Sequence, residues 1–77
     1  MTSFDHELDT RGLSCPLPIL RTKKFLTTME AGRIVRIMAT DPGSVKDFEV
    51  FARQTDNELL SSTEIEREFQ FTLKKLS

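Results

Sequence analysis

Two spacings alternate along this chain, and they divide it into elements. From Pro16 the run PLPILRTKKFLTTME sets Ile19, Thr22, Leu26 and Met29 at separations of three and four, with Leu20 and Phe25 widening the stripe. That is the period of an amphipathic helix. Prolines are tolerated in a first helical turn, where the backbone N–H has no partner to lose, so Pro16 and Pro18 mark the start and Cys15 becomes the N-cap or its neighbour. Ala31-Gly32 is the expected end, with glycine where a left-handed residue is wanted. Arg33 to Thr40 then alternates: Val35, Ile37 and Ala39 share one face, while Arg36 and Thr40 lie on the other beside Ile34 and Met38. A half-buried strand has this pattern. Asp41-Pro42-Gly43 turns the chain, and Ser44-Val-Lys-Asp47 resembles a capping box that opens a second helix with Val45, Phe48, Phe51 and Ala52 inward.

The ends complete the order. His6 to Asp9 reads as a short first strand, closed by an Arg11-Gly12-Leu13-Ser14 turn. Leu59 to Thr63 and Phe69 to Leu73 read as two closing strands, after Asp56-Asn57 lets the chain leave the second helix through a left-handed residue. The expected fold class is α+β, a βαβαββ two-layer α/β sandwich. Two helices with one apolar stripe each are both satisfied on one face of a mixed four-stranded sheet. All phenylalanines except Phe4 fall within these elements, where core packing accounts for them.

With 77 residues, 38% of them hydrophobic and 30% charged, the chain suits a single domain spanning residues 1–77. A domain so small is commonly braced by disulfides or a metal, yet Cys15 is the only cysteine and His6 the only histidine. An internal disulfide and a four-ligand Cys/His zinc site are thereby excluded, and no metal or organic cofactor is expected. A reducing, cytoplasmic location is expected. The acidic N-terminal segment lacks the basic start and apolar run of a signal peptide, and the most apolar stretch is far below the ~20 residues of a membrane span.

The formal charge of −1 conceals an asymmetry along the chain. Residues 11–36 carry six bases against Glu30 alone, for +5, whereas residues 37–68 carry three bases and eight acids, for −5. The basic segment contains the cysteine. A thiol at a helix start meets unpaired N–H groups and the positive dipole end, which favour thiolate and lower its pKa below the free value of about 8.5. Arg11, four residues upstream, and Arg21, Lys23 and Lys24 on the helix are expected to act in the same direction. Arg11 has two equal readings: it assists the thiolate, or it braces the turn by pairing with Asp9 or Asp5.

Protease chemistry needs a histidine base with an orienting partner, and thioredoxin-type exchange needs a second cysteine where this chain has Pro18. What remains is a thiolate that accepts a group from one protein and delivers it to another. A competing reading is an RNA- or protein-binding regulatory module with an inert cysteine, using Arg21, Lys23, Lys24, Arg33 and Arg36 as a basic patch. Negative net charge and the lack of interleaved stacking aromatics speak against direct nucleic-acid binding.

The run Asp9-x-Arg11-Gly12-Leu13-x-Cys15-Pro16-x-Pro18 strongly resembles the signature of TusA/SirA-type sulfur carriers, and the likeness continues through Asp41-Pro42, Asp47 to Phe51 and Glu58-Leu59-Leu60. The resemblance implies a fold similar to the C-terminal domain of bacterial initiation factor three. It also implies Cys15 as persulfide carrier, with Arg11, Gly12, Pro16 and Pro18 as supporting motif. The implied partners are a sulfur-donor protein, either a cysteine desulfurase or a rhodanese, and an acceptor relay protein, as in tRNA 2-thiolation or another sulfur-trafficking pathway. Arg21, Lys23 and Lys24 are the expected partner-docking residues, on a carrier that works as a monomer. Leu17 stands where the tRNA-thiolation branch often has an acid, and the glycine common after the second helix is replaced by Asp56-Asn57.

Overall fold

The computed structural model describes residues 4–76; residues 1–3, the start of the acidic segment, and residue 77 lie outside the described residues. The elements follow in the order β1 (His6–Thr10), α1 (Leu17–Leu26), β2 (Ile34–Ala39), α2 (Ser44–Gln54), β3 (Glu58–Ile65) and β4 (Glu68–Lys74). The sheet order is β1-β2-β4-β3. β1 runs parallel to β2, and β4 is antiparallel to both its neighbours. Both helices lie on one face, so the expected two-layer α+β sandwich with a mixed sheet is the fold observed.

Alternation along the strands selects the covered face. Val35, Ile37, Phe71 and Leu73 are wholly buried, in register across β2 and β4, and meet Leu26 from α1 with Phe48, Phe51 and Ala52 from α2. Each of these side chains other than Ala52 contributes roughly 1.5–3 kcal/mol by leaving water. Phe48 stacks on Phe71 at 4.4 Å between ring centroids, which pins α2 to the central strand.

Two sequence expectations are corrected at element ends. α1 stops at Leu26 and not at Ala31-Gly32, because the Thr27 and Thr28 hydroxyls donate to the carbonyls of Lys24 and Phe25, and the Lys75 ammonium donates to the carbonyls of Leu26 and Met29 at 2.7 Å each. A cation at a helix C-terminus satisfies orphan carbonyls and complements the dipole. Gly32, at φ +88°, serves the turn into β2, its N–H bonded to the Lys75 carbonyl. Ser44 is not the cap of a capping box: Gly43 occupies that position and no side chain caps α2, while the Ser44 hydroxyl is buried without a hydrogen-bond partner among the described residues. The β3–β4 hairpin turns without glycine, through Glu66 and Arg67 at φ 50° and 68°. The left-handed exit from α2 is at Asp56, φ 56°, as its residue type suggested.

Candidate functional site

The chain leaves β1 through a turn whose geometry depends on Gly12. At φ +81° this residue occupies the left-handed region that a side chain disfavours, and its N–H donates to the Thr40 hydroxyl at 2.9 Å, tying the turn to the end of β2. The Leu17 N–H then returns to the Ser14 carbonyl at 2.9 Å. Pro16 is the N-cap of α1, preceded by a cis peptide bond, and Cys15 is its neighbour outside the helix. Pro18 is buried in the first turn, where its carbonyl accepts a bond from the buried Thr22 hydroxyl at 2.8 Å. Cys15 is exposed.

The thiol opens onto a cleft of about 300 Å³ between the start of α1 and the outer side of α2. Pro16 and Ile19 line one wall, Val50 and Phe51 the other, and Lys46, Asp47 and Gln54 supply the polar atoms. On the two helices that border it, Leu17, Leu20 and Val50 are each more than a third exposed. Among the described residues no group of three or more His, Cys, Asp or Glu side chains is placed to hold a metal ion.

The charges around Cys15 differ from the sequence expectation. Arg11 is turned to the sheet: it grips Asp9 through two nitrogens at 2.9 Å and reaches Glu68 at 3.1 Å. The pairing with Asp9 that the bracing reading calls for is present, and Asp5 pairs instead with Arg33 at 3.6 Å. Glu68 is bonded onward to Gln70, and Gln70 to Arg36, so a hydrogen-bonded chain crosses the sheet face opposite the helices. Arg11 and its hydrogen bonds hold the Asp9 carboxyl down to about 2. The charges acting on the Cys15 thiol are acids, although Lys46 is also exposed at the cleft. Hydrogen bonding to Asp47, partial desolvation and the charges of Asp47 and Asp41 push the thiol pKa up. The expected lowering is thus overturned: unlike charges near in sequence are held elsewhere, and like charges distant in sequence are brought close.

Arg21, Lys23 and Lys24 are all exposed on α1, but none lines the cysteine cleft. Arg21 and Lys24 flank a separate groove with Leu8, Phe25 and Thr28. Sequence reasoning missed Asp47, which read as a helix cap, and with it Lys46, Val50 and Gln54. The available signal was their spacing on the outer side of an amphipathic helix, which says that they share a surface but not what that surface faces.

Fold and site together define a class: a two-layer α+β domain that carries one exposed thiol at the rim of an apolar cleft. The family model described as sulfurtransferase TusA matches residues 6–75, and the chain belongs to that family. Its role is that of a sulfur carrier. It is 57% identical over 75 residues to the sulfur carrier protein TusA of Allochromatium vinosum, covering 97% of this chain and 99% of that one. The crystal structure of the SirA-like protein from Desulfitobacterium hafniense shares the fold, with a TM-score of 0.82 at 23% identity, over 95% of this chain and all of the other.

Proposed function

We propose that Cys15 accepts sulfane sulfur as a persulfide from a donor protein and passes it to an acceptor protein. The observation that carries this reading is the single exposed thiol at the cleft, in a chain with no second cysteine to resolve it. His6, the one histidine, packs edge-on against Phe25 and is not among the cleft residues, so a histidine general base does not serve Cys15.

The chemistry follows from what the site holds and lacks. The Cys15 thiolate attacks the terminal sulfur of a donor persulfide; a new S–S bond forms, the donor's S–S bond breaks, and the electron pair leaves on the donor cysteine. Nothing is oxidised or reduced overall. Without a resolving thiol or a water-activating base, the reaction halts at the persulfide until an acceptor thiolate repeats the exchange. A cysteine desulfurase or a rhodanese is a donor of the required kind. The acceptor is a relay protein, whether for tRNA 2-thiolation or for another sulfur-trafficking pathway. A lone thiol kept reduced fits the cytoplasm.

Incubation with a cysteine desulfurase and cysteine, or with a rhodanese and thiosulfate, should add one sulfur atom to Cys15, released as sulfide by a reductant. Cys15→Ser should fold and gain none. Intact-mass analysis with peptide mapping decides it: no reducible adduct with either donor, or an adduct that persists in Cys15→Ser, would refute the reading.

A further inference from the structure

One acid, Asp47, lines the cleft that Cys15 borders. Asp5, Asp9, Glu30 and Glu68 all take part in ion pairs, whereas among the described residues Asp47 takes part in none of them. It sits in the first turn of α2, half-buried, in the wall of the cleft that Cys15 borders. Packing of Phe48 on Phe71 fixes the helix that presents it. The other charged groups facing the sulfur are Asp41, from the β2–α2 turn, and Lys46, exposed at the cleft. Arg11, in the turn before Cys15, is engaged with Asp9 and Glu68.

We infer that Asp47 is a positioning residue that keeps the proton on the Cys15 sulfur in the free carrier, and that a donor protein releases it by setting a cationic side chain against this carboxylate. The inference rests on Cys15 being the sulfur-bearing thiol. A carboxylate beside a sulfur disfavours a second negative charge there, so the free carrier holds little thiolate and reacts slowly with small electrophiles and oxidants. A cation brought against Asp47 cancels that repulsion at the moment of docking, when the donor persulfide is within reach. The proton passes to solvent as the thiolate attacks. The partner that fits is therefore one with an arginine or lysine next to its sulfur-bearing cysteine.

The test compares a small reagent with a protein donor. In Asp47→Asn, iodoacetamide alkylation of Cys15 should become several-fold faster at neutral pH, with its pH midpoint displaced downward. Sulfur uptake from a cysteine desulfurase with cysteine should be unchanged or slower, because the attraction to the donor's cation is lost. Asp47→Glu, which keeps the charge, should stay near the wild-type alkylation profile, and circular dichroism checks that both variants fold. If Asp47→Asn leaves the alkylation profile where it was, or if desulfurase loading accelerates in parallel with alkylation, the inference is wrong. A wild-type protein that takes up no sulfur would refute the carrier reading instead, since alkylation reports only the ionisation of Cys15.

Discussion

Arg11 and Cys15 are four residues apart in one motif, yet they belong to opposite electrical environments. At the Arg11 corner every neighbouring charge is satisfied: Asp9, Glu68, Gln70 and Arg36 join in one hydrogen-bonded chain on the sheet. At Cys15 the cleft carries an acid of α2, Asp47, outside the ion pairs formed by the described residues. The contrast teaches that a cation close in sequence does not make a site electropositive. Its field reaches a neighbour only if its own partners leave it free. Arg11 braces the turn that holds Cys15 in place, and the charge felt by the sulfur is set by α2.

The most drastic way to break the comparison is to loosen α2. Phe48→Ala removes a wholly buried ring stacked on Phe71 and should cost about 3–5 kcal/mol, comparable with the whole stability of a domain this small. Chemical denaturation should show little or no folded protein at room temperature. A cooperative transition at the wild-type midpoint would mean that α2 does not depend on this contact.

A smaller effect is expected from the basic side of α1. Reversing Lys23 and Lys24 to Glu should slow association with an acidic donor surface at low salt, with the difference shrinking as salt is added. The alkylation profile of Cys15 should hardly change, because neither lysine lines its cleft. Stopped-flow association across ionic strength measures the first, and an unchanged rate at low salt would remove these lysines from docking.

The smallest effect belongs to the Arg11 corner. Asp9 titrates at about 2 in the folded chain against an ordinary 3.8, so it binds a proton more weakly folded than unfolded. Its contribution to stability is therefore present above pH ~4 and is lost as the pH falls toward ~2. Glu68 is lowered too, first by its bond from Gln70 and then by Arg11. Arg11→Met should lower the melting temperature slightly at pH 7 and less at pH 2, the pair being exposed and open to screening. Thermal melts across pH would show it, and a difference that grows toward acid would contradict the pairing.

Much of the fold was legible in the residues alone. The three-and-four spacing of α1, the Val35-Ile37-Ala39 alternation of β2 and the Phe69-Phe71-Leu73 alternation of β4 express local geometry, which a linear pattern records directly. The position of Cys15 just before a helix was legible for the same reason, since Pro16 and Pro18 are compatible with little else. What failed were features that need an atom from afar. The Lys75 ammonium ends α1 from 46 to 49 residues away, and Glu68 reaches Arg11 across 57.

The sequence by itself determined which elements form, which face each buries, and that one thiol stands alone at a helix start. Those properties depend on side-chain period, proline and glycine backbone limits, and a count of cysteines. Only the tertiary structure decided the electrostatic setting of that thiol. Charge interactions fall off with distance in space, and packing α2 beside the start of α1 brings Asp47 to the sulfur while Glu68 on β4 draws Arg11 to the sheet.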